Sequence, residues 1–213
     1  MIRLRSLLAL GSAEEGLAEA LACGADAWEV SPGRAGGLAG QSLGAELFLK
    51  LSGDAGSWDG DCAGLAGLPF RGVTAPCRSG ADIQRLAAKL AVAEARLGLP
   101  DGRLGVIAIA ASAQSVLSLA SFAGANARLL AISSDPAAVR AELGAPAPAT
   151  LALLHALLPA VACAAAVPAL HLAASETEPA SFERECAFAR RDGYRGLRLA
   201  APWQAKIANR HFG

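Results

Sequence analysis

The sequence predicts an α/β protein, a compact TIM-like (β/α)8 barrel with shortened helices. Strand-length apolar runs alternate with helix-like segments along the whole chain, and eight such runs can be distinguished. This alternation is typical of a parallel sheet, and eight strand–helix units favour a closed barrel. Because the chain has 213 residues and a typical barrel has about 250, several helices must be short. A doubly wound open sheet is the alternative architecture.

The predicted strands are short and mostly apolar. Residues 104–110 are the clearest of them, because a continuous apolar run is typical of a strand that is covered on both faces. In chain order the strands are predicted at residues 4–10, 27–30, 46–51, 72–75, 104–110, 129–132, 169–172 and 194–200.

Helices are predicted between these strands. Residues 81–97 give the best one, which Gly98 and Pro100 end. In residues 13–23, Leu17, Ala20 and Leu21 share one helical face. The glycine-rich link at 33–44 is too poor in periodicity to predict a helix. The remaining helices are predicted at 57–66, 112–120, 136–143, 150–161 and 179–191.

Composition bounds the class of protein. An apolar fraction of 54% is ample for one domain covering residues 1–213. Nineteen basic residues balance nineteen acidic ones, so we expect neither a nucleic acid nor a membrane as partner. The five cysteines are scattered without a CxxC pair, which favours reduced thiols and a cytoplasmic location.

One stretch has the length of a membrane span. Residues 151–170 are largely apolar, but they contain His155, Pro159 and Pro168, and much of the rest is alanine. The pattern therefore favours a buried helix followed by a buried strand.

Several short motifs, in order, resemble one family. The run Arg5-Ser6-Leu7-Leu8 is followed about eighteen residues later by Gly24-Ala25-Asp26-Ala27. Near the other end stand Gly193-Tyr194-Arg195-Gly196 and Pro202-Trp203-Gln204. Together they resemble the citrate lyase β-subunit-like branch of the HpcH/HpaI aldolases, as a degenerate member. The resemblance implies a barrel that cleaves a carbon–carbon bond in an acyl-thioester or 2-oxo acid with the help of Mg²⁺.

The acidic positions of that family are mostly empty in this chain. Where the resemblance implies an Asp-Leu-Glu-Asp run after the second strand, the chain has Ser31, Pro32, Gly33 and Arg34. The glutamate implied after the fifth strand corresponds to Ala111, and the later aspartate to Asp135. Mg²⁺ prefers carboxylate oxygens, so Asp135 is the remaining metal candidate, and Mg²⁺ is expected only if other ligands supplement it. Because Pro136 follows, Asp135 is alternatively a helix N-cap.

Three cations are predicted to bind substrate at the barrel mouth, since sites form at the carboxyl ends of barrel strands. Arg5 matches the arginine with which the family is expected to grip a carboxylate or phosphate, and Lys50 stands where the resemblance implies an arginine. Arg34 adds a positive charge that should repel a metal. Alternatively, Arg5 and Lys50 are strand-end residues that are paired internally or solvated.

Other chemistry-bearing residues form no recognisable site. His155, His171 and His211 do not have metal-ligand spacing, and His211 is expected in a frayed tail. Cys77 is interpreted as a small buried residue. The last thirty residues are locally basic, which indicates a solvated helix face or, alternatively, a landing site for coenzyme A phosphates or an acidic carrier protein. The basic residues are Arg184, Arg190, Arg191, Arg195, Arg198, Lys206 and Arg210.

Two functions follow from the sequence. The first is a degenerate, non-catalytic or altered protein that binds an acyl-CoA or a small carboxylate at the barrel mouth, with no cofactor expected and with a homo-oligomer as a possible assembly. The alternative is an active carbon–carbon lyase or aldolase with rearranged catalytic groups. Loss of the acids at Ser31, Gly33, Arg34 and Ala111 favours the first, whereas the presence of Arg5 and Asp135 supports the alternative.

Overall fold

Eight parallel strands close into a barrel in the computed structural model, which describes residues 4–10, 17–35, 38, 44–53, 56–174 and 178–213. Each strand pairs with the next, and the first pairs with the last. The (β/α)8 prediction is therefore confirmed, and the open-sheet alternative is wrong. The strands are β1 (Ser6–Ala9), β2 (Ala27–Val30), β3 (Glu46–Lys50), β4 (Phe70–Pro76), β5 (Gly105–Ala110), β6 (Leu129–Ser134), β7 (Ala169–Leu172) and β8 (Gly196–Leu199).

The helices surround the barrel, and several are short as the chain length predicts. They are α1 (Leu17–Ala22), α2 (Pro32–Ala35), α3 (Trp58–Cys62), α4 (Gly80–Leu97), α5 (Ala113–Leu117), α6 (Pro136–Leu143), α7 (Pro148–Ala164), α8 (Pro179–Arg191) and α9 (Gln204–His211). The four-residue α2 is what the structure describes of a helix in the glycine-rich link, whose residues 36–37 and 39–43 lie outside the described ranges. The first part of the helix predicted at 13–23 also lies outside them.

Two predictions concern the apolar stretch at residues 151–170 and the position of His211 near the end of the chain. Residues 151–170 form most of α7 and the start of β7, as predicted, but the helix is not buried on all sides: it buries Leu154, Leu158 and Ala162, whereas Leu153 and Leu157 are exposed. No helix among the described residues is long and apolar enough to cross a membrane. His211 is not in a frayed tail, because it ends α9. That helix buries Ala205, Ile207 and Ala208 and packs against α8 and β1.

The barrel has two apolar compartments. The larger lies between the strands and the helices, and the smaller fills the inside of the barrel. The inner one consists of Leu4, Leu7, Ala27, Phe48, Ile107, Ala131 and Leu170. At the amino ends of the strands, Gly72 and Gly196 let neighbouring strands approach closely, since an added Cβ would lie 2.1 Å from a carbonyl oxygen at either position. The inside is thus filled and apolar in its lower part.

Candidate ligand site at the barrel mouth

Above the apolar interior lies a buried layer of polar side chains. Ala27 and Ala131 face inward, and because strand side chains alternate, Glu29 and Ser133 two residues later do the same. Arg198 lies between Leu197 and Leu199, which pack outward against the helices. Thr74 comes from β4 and pairs in register with Lys50. The four even-numbered strands therefore contribute Glu29, Thr74, Ser133 and Arg198, all buried, to a position where barrels mostly carry Val, Ile or Leu.

An ion pair crosses this layer. Nη2 of Arg198 donates to both carboxylate oxygens of Glu29, at 3.4 Å to Oε1 and 3.2 Å to Oε2. Nζ of Lys50, at the carboxyl end of β3, lies 3.3 Å from Oε1 of Glu29. Glu29 is 2% exposed and Arg198 7%, whereas the side chain of Lys50 is 54% exposed and lies at the mouth. Two positive charges thus surround one negative charge.

The surroundings keep Glu29 ionised. Burial disfavours the charged carboxylate, but the charges of Arg198 and Lys50, together with the Thr74 hydroxyl, outweigh that effect. The pKa of Glu29 is therefore below its ordinary value. Glu29 and Arg198 therefore balance each other within the layer, and Lys50 adds one positive charge at the mouth.

Two polar atoms in this layer have no hydrogen-bond partner among the described residues. Nη1 of Arg198 is buried and has no hydrogen-bond partner within the described part of the chain. Oγ of Ser133 donates to the Leu170 carbonyl at 2.8 Å, but Oγ1 of Thr74 makes no hydrogen bond of normal geometry, although it lies close enough to stabilise Glu29. A buried polar atom without a partner is costly, and ligand sites are one place where such atoms occur.

Arg5 does not lie at the mouth, so its predicted position is wrong. It precedes β1 and therefore lies at the amino end of the barrel, opposite Lys50. Its Nε donates to Oδ2 of Asp26 at 2.9 Å, and its backbone N donates to the same oxygen at 2.8 Å. The alternative of an internally paired strand-end residue therefore describes its contacts.

Asp135 acts as the N-cap of α6. Its Oδ1 accepts from the Ala138 backbone N at 3.0 Å, and Pro136 occupies the first helical position. The other carboxylate that the resemblance implies is replaced by Ala111, which has no oxygen in its side chain. Among the residues that the structure describes, no group of three or more His, Cys, Asp or Glu side chains is placed to hold a metal. This donor set does not fit Mg²⁺, which is bound in proteins through carboxylate oxygens.

The remaining predicted residues surround the mouth. Arg34 lies in α2, directly after β2, and is half-buried. Cys77 follows β4, where burial, together with the charge of Asp82, raises the pKa of its thiol to about 12. It is buried, as predicted, and it borders a small cavity of about 210 Å³ shared with Ala111, Ser112 and Glu142.

Gln204 shapes the rim of the mouth. Its Oε1 accepts from the backbone N of both Ala200 and Ala201 at 3.0 Å, and its Nε2 donates to the Ala174 carbonyl at 3.0 Å. This fully buried amide therefore joins the ends of β7 and β8. In the motif Pro202-Trp203-Gln204, the glutamine therefore has a structural role.

Sequence reasoning missed Glu29 and overlooked Arg198. Arg198 was grouped with a solvated basic helix face, but it lies in β8 and points into the barrel. Both residues are single charges between apolar neighbours in a strand, Trp28-Glu29-Val30 and Leu197-Arg198-Leu199. A charge in an otherwise apolar strand is costly unless it has a partner, and this signal would have found both residues.

Solved structures with this fold are known, although neither a protein-family model nor a curated protein matches the sequence. RipC from Yersinia pestis is 20% identical and has a TM-score of 0.77, with 100% of this chain and 96% of that chain covered. The citrate lyase β subunit from Mycobacterium tuberculosis is 18% identical with a TM-score of 0.76, over 98% of this chain and 96% of that chain. A malate synthase from Haloferax volcanii reaches a TM-score of 0.83 at 15% identity, over 99% and 75%. The chain therefore has the barrel fold of the citrate lyase β subunits, as the resemblance in sequence implied.

Proposed function

We propose that this chain is a degenerate relative of the citrate lyase β subunits that binds a small carboxylate, free or as part of an acyl-CoA, at the mouth of its barrel without using Mg²⁺. The observation that carries the proposal is the buried Nη1 of Arg198, which has no partner among the described residues and lies beneath the exposed ammonium of Lys50. A guanidinium presents its donors in a planar fork that suits a carboxylate. Arg198 supplies the anchor, and Lys50 attracts the ligand from solvent.

The position of the layer supports this proposal. Ligands of closed (β/α)8 barrels bind at the carboxyl ends of the strands, and Glu29, Thr74 and Arg198 lie in the upper parts of β2, β4 and β8. Glu29 holds Arg198 in place through Nη2 and leaves Nη1 for the ligand. Above them, the exposed ammonium of Lys50 allows entry of an anion from solvent.

A thermal-shift and calorimetric series tests the proposal. We expect stabilisation by one or more of acetate, oxaloacetate, citrate, CoA and acetyl-CoA, with the same affinity in the presence of Mg²⁺ and of a chelator. Arg198→Gln should remove binding, and Arg198→Lys, which keeps the charge without the fork, should weaken it. Arg140→Gln changes an exposed arginine on α6 and is the matched control. Binding that survives Arg198→Gln, or that requires Mg²⁺, would contradict the proposal.

A second candidate is an altered lyase, which the position of Glu29 between two cations favours. A carboxylate beside two cations could remove a proton from a carbon next to a carbonyl, while Arg198 and Lys50 stabilise the negative oxygen that forms. Exchange of the α-hydrogens of a bound acid or thioester with deuterium from D2O, followed by NMR, tests it. Exchange that Glu29→Gln abolishes would favour the lyase over the non-catalytic binding protein.

A further inference from the structure

A second cavity lies at the amino end of the barrel, on the opposite side from the polar layer. It has a volume of about 740 Å³, compared with about 210 Å³ for the cavity beside Cys77. Its walls come from the end of α7, the residues leading into β1, β7 and β8, and Phe212 after α9. Small-molecule sites commonly have volumes of roughly 300–1,000 Å³, so this cavity has the size of a ligand site.

Small side chains keep this space open. The face of α7 that borders it presents Pro159, Ala160 and Cys163, and Ala166 follows in a left-handed backbone conformation with φ of 55°. Gly193, with φ of 97°, approaches so closely that an added Cβ would lie 3.3 Å from Cβ of Pro159. No large side chain on this face reaches across to fill the gap, and the walls are mainly apolar.

The proline is accommodated by a specific hydrogen bond. Proline has no N–H, so Pro159 cannot donate to the carbonyl of His155 one turn earlier. The hydroxyl of Tyr194 donates to that carbonyl at 3.0 Å instead. Tyr194 is 1% exposed and directly follows Gly193 in the cavity wall. The wall is therefore fixed in shape by a buried contact.

Two arginines border the cavity, and they differ in their pairing. Arg5 is occupied by Asp26, which accepts from its backbone N and from its guanidinium. Arg195 has its backbone held by the Ala169 carbonyl at 2.9 Å, but its exposed side chain has no ion-pair partner among the residues that the structure describes. A cation at the rim of an apolar cavity is the arrangement that an amphipathic anion requires.

We propose that this cavity binds an aliphatic carboxylate, with the hydrocarbon chain against α7 and Phe212 and the carboxylate on Arg195. Apolar walls of this extent favour a chain of methylene groups, because each one is removed from water on binding. The carboxylate pairs with a guanidinium that is otherwise solvated. The site is independent of the barrel mouth, since the two lie at opposite ends of the strands.

A homologous series of ligands tests the apolar part. Calorimetric titration with acetate, hexanoate, octanoate and decanoate, below their micellar concentrations, should give affinities that rise about threefold to fourfold for each added CH2. Acetate should not bind at this cavity. Affinities that do not depend on chain length would overturn the proposal.

Two variants test the position of the ligand. Ala160→Trp fills the cavity from an exposed helix position and should abolish decanoate binding without affecting folding, which circular dichroism verifies. Arg195→Gln should weaken binding of decanoate about tenfold but leave binding of decanol unchanged. Arg140→Gln, the exposed arginine on α6, should change neither. Equal decanoate binding by Ala160→Trp and the wild type would overturn the proposal.

Cys163 gives an independent readout. It borders the cavity and is exposed, whereas Cys23, Cys77 and Cys186 are buried. Saturating decanoate should slow alkylation of Cys163, measured by mass spectrometry of the labelled peptide, and acetate should not. Unchanged labelling at saturation would place the ligand elsewhere and overturn the proposal. A second copy of the chain is the other candidate occupant: dimers that Ala160→Trp dissociates, without any binding of decanoate, would show that this face is an interface instead.

Discussion

A buried or half-buried carboxylate–guanidinium pair occurs at each end of the barrel, and the two pairs differ in completeness. At the amino end, the oxygens of Glu94 accept from both terminal nitrogens of Arg128, at 2.7 and 2.8 Å, and from the backbone N of Gly102 and Leu104. At the carboxyl end, Glu29 accepts from one nitrogen of Arg198 at 3.2–3.4 Å, and Nη1 of Arg198 has no partner within the described residues. In the first pair both terminal nitrogens of the arginine have partners, whereas in the second one terminal nitrogen has none among the described residues.

This difference indicates a division of roles. The pair at the amino end joins α4 to the entrances of β5 and β6, so we expect removal of one partner to destabilise the fold. The pair at the carboxyl end leaves Nη1 of Arg198 without a partner among the described residues, which supports the anion site that we propose there. In barrels of this kind, stabilising residues are expected at the amino end and functional ones at the carboxyl end.

Arg128→Ala should have the largest effect on stability. It leaves the carboxylate of Glu94, 1% exposed, without its charge partner, and breaking a buried pair in this way costs about 3–5 kcal/mol. Urea denaturation followed by circular dichroism measures the free energy of unfolding. Arg210→Ala is the matched control, because it breaks the exposed pair with Glu183, which is worth about 0–1 kcal/mol. Equal losses in the two variants would contradict the assigned role of the Glu94 pair.

The dependence of stability on pH is the next effect. Burial raises the pKa of Glu94. The hydrogen bonds from Arg128, Leu104 and Gly102, together with the charge of Arg128, lower it by more, so the pKa lies below its ordinary value of 4.5. A depressed pKa means that the stabilisation is complete above about pH 4.5 and is lost as the pH falls through the folded-state value. The free energy of unfolding, measured by denaturation at several pH values from 7 to 3, should therefore fall less steeply below pH 4.5 for Glu94→Gln than for the wild type. Parallel curves would show that Glu94 does not contribute.

Glu29→Gln tests the carboxyl end, where we expect ligand affinity to change more than stability. Removing a negative charge beside the bound anion should strengthen carboxylate binding by about tenfold, since a like charge within a few ångströms is worth more than about 1.4 kcal/mol at an effective dielectric constant of about 20. Isothermal titration with the ligand identified for the mouth measures this. Glu183→Gln, an exposed acid on α8, should leave the affinity unchanged. Weaker binding by Glu29→Gln would mean that Glu29 contacts the ligand as an acceptor.

The same contrast explains what the sequence could predict. Strands at 27–30 and 169–172 and the helices at 136–143 and 179–191 were predicted with their observed bounds, because apolar runs and caps are local signals. No local signal in the sequence tells at which end of the barrel a charged residue lies. The predicted strand at 4–10 contained Arg5, but β1 begins at Ser6, so Arg5 lies below the sheet. Arg198, between Leu197 and Leu199, is the third residue of β8 and lies within the sheet.

The sequence also could not predict that Glu29 pairs with Arg198. Glu29 and Arg198 are 169 residues apart, and only closure of the barrel between β1 and β8 brings β2 and β8 near each other. A single sequence gives no signal for that pairing. To predict the polar layer, the side-chain alternation in β2 and in β8 must be combined with the register between the strands. Only the structure gives that register.

Asp135 provides the smallest predicted effect and separates its two predicted roles. As an N-cap it accepts from the Ala138 backbone N, so Asp135→Ala should cost about 1 kcal/mol, whereas Asp135→Asn should be nearly neutral because asparagine caps equally well. If Asp135 is instead a metal ligand, both variants should lose Mg²⁺ binding. Urea denaturation of the wild type and both variants, in Mg²⁺ and in chelator, measures both effects. We expect Mg²⁺ to leave all three proteins unchanged, and a Mg²⁺-dependent stabilisation of the wild type that Asp135→Asn removes would restore the metal site and weaken the contrast between the two ends of the barrel.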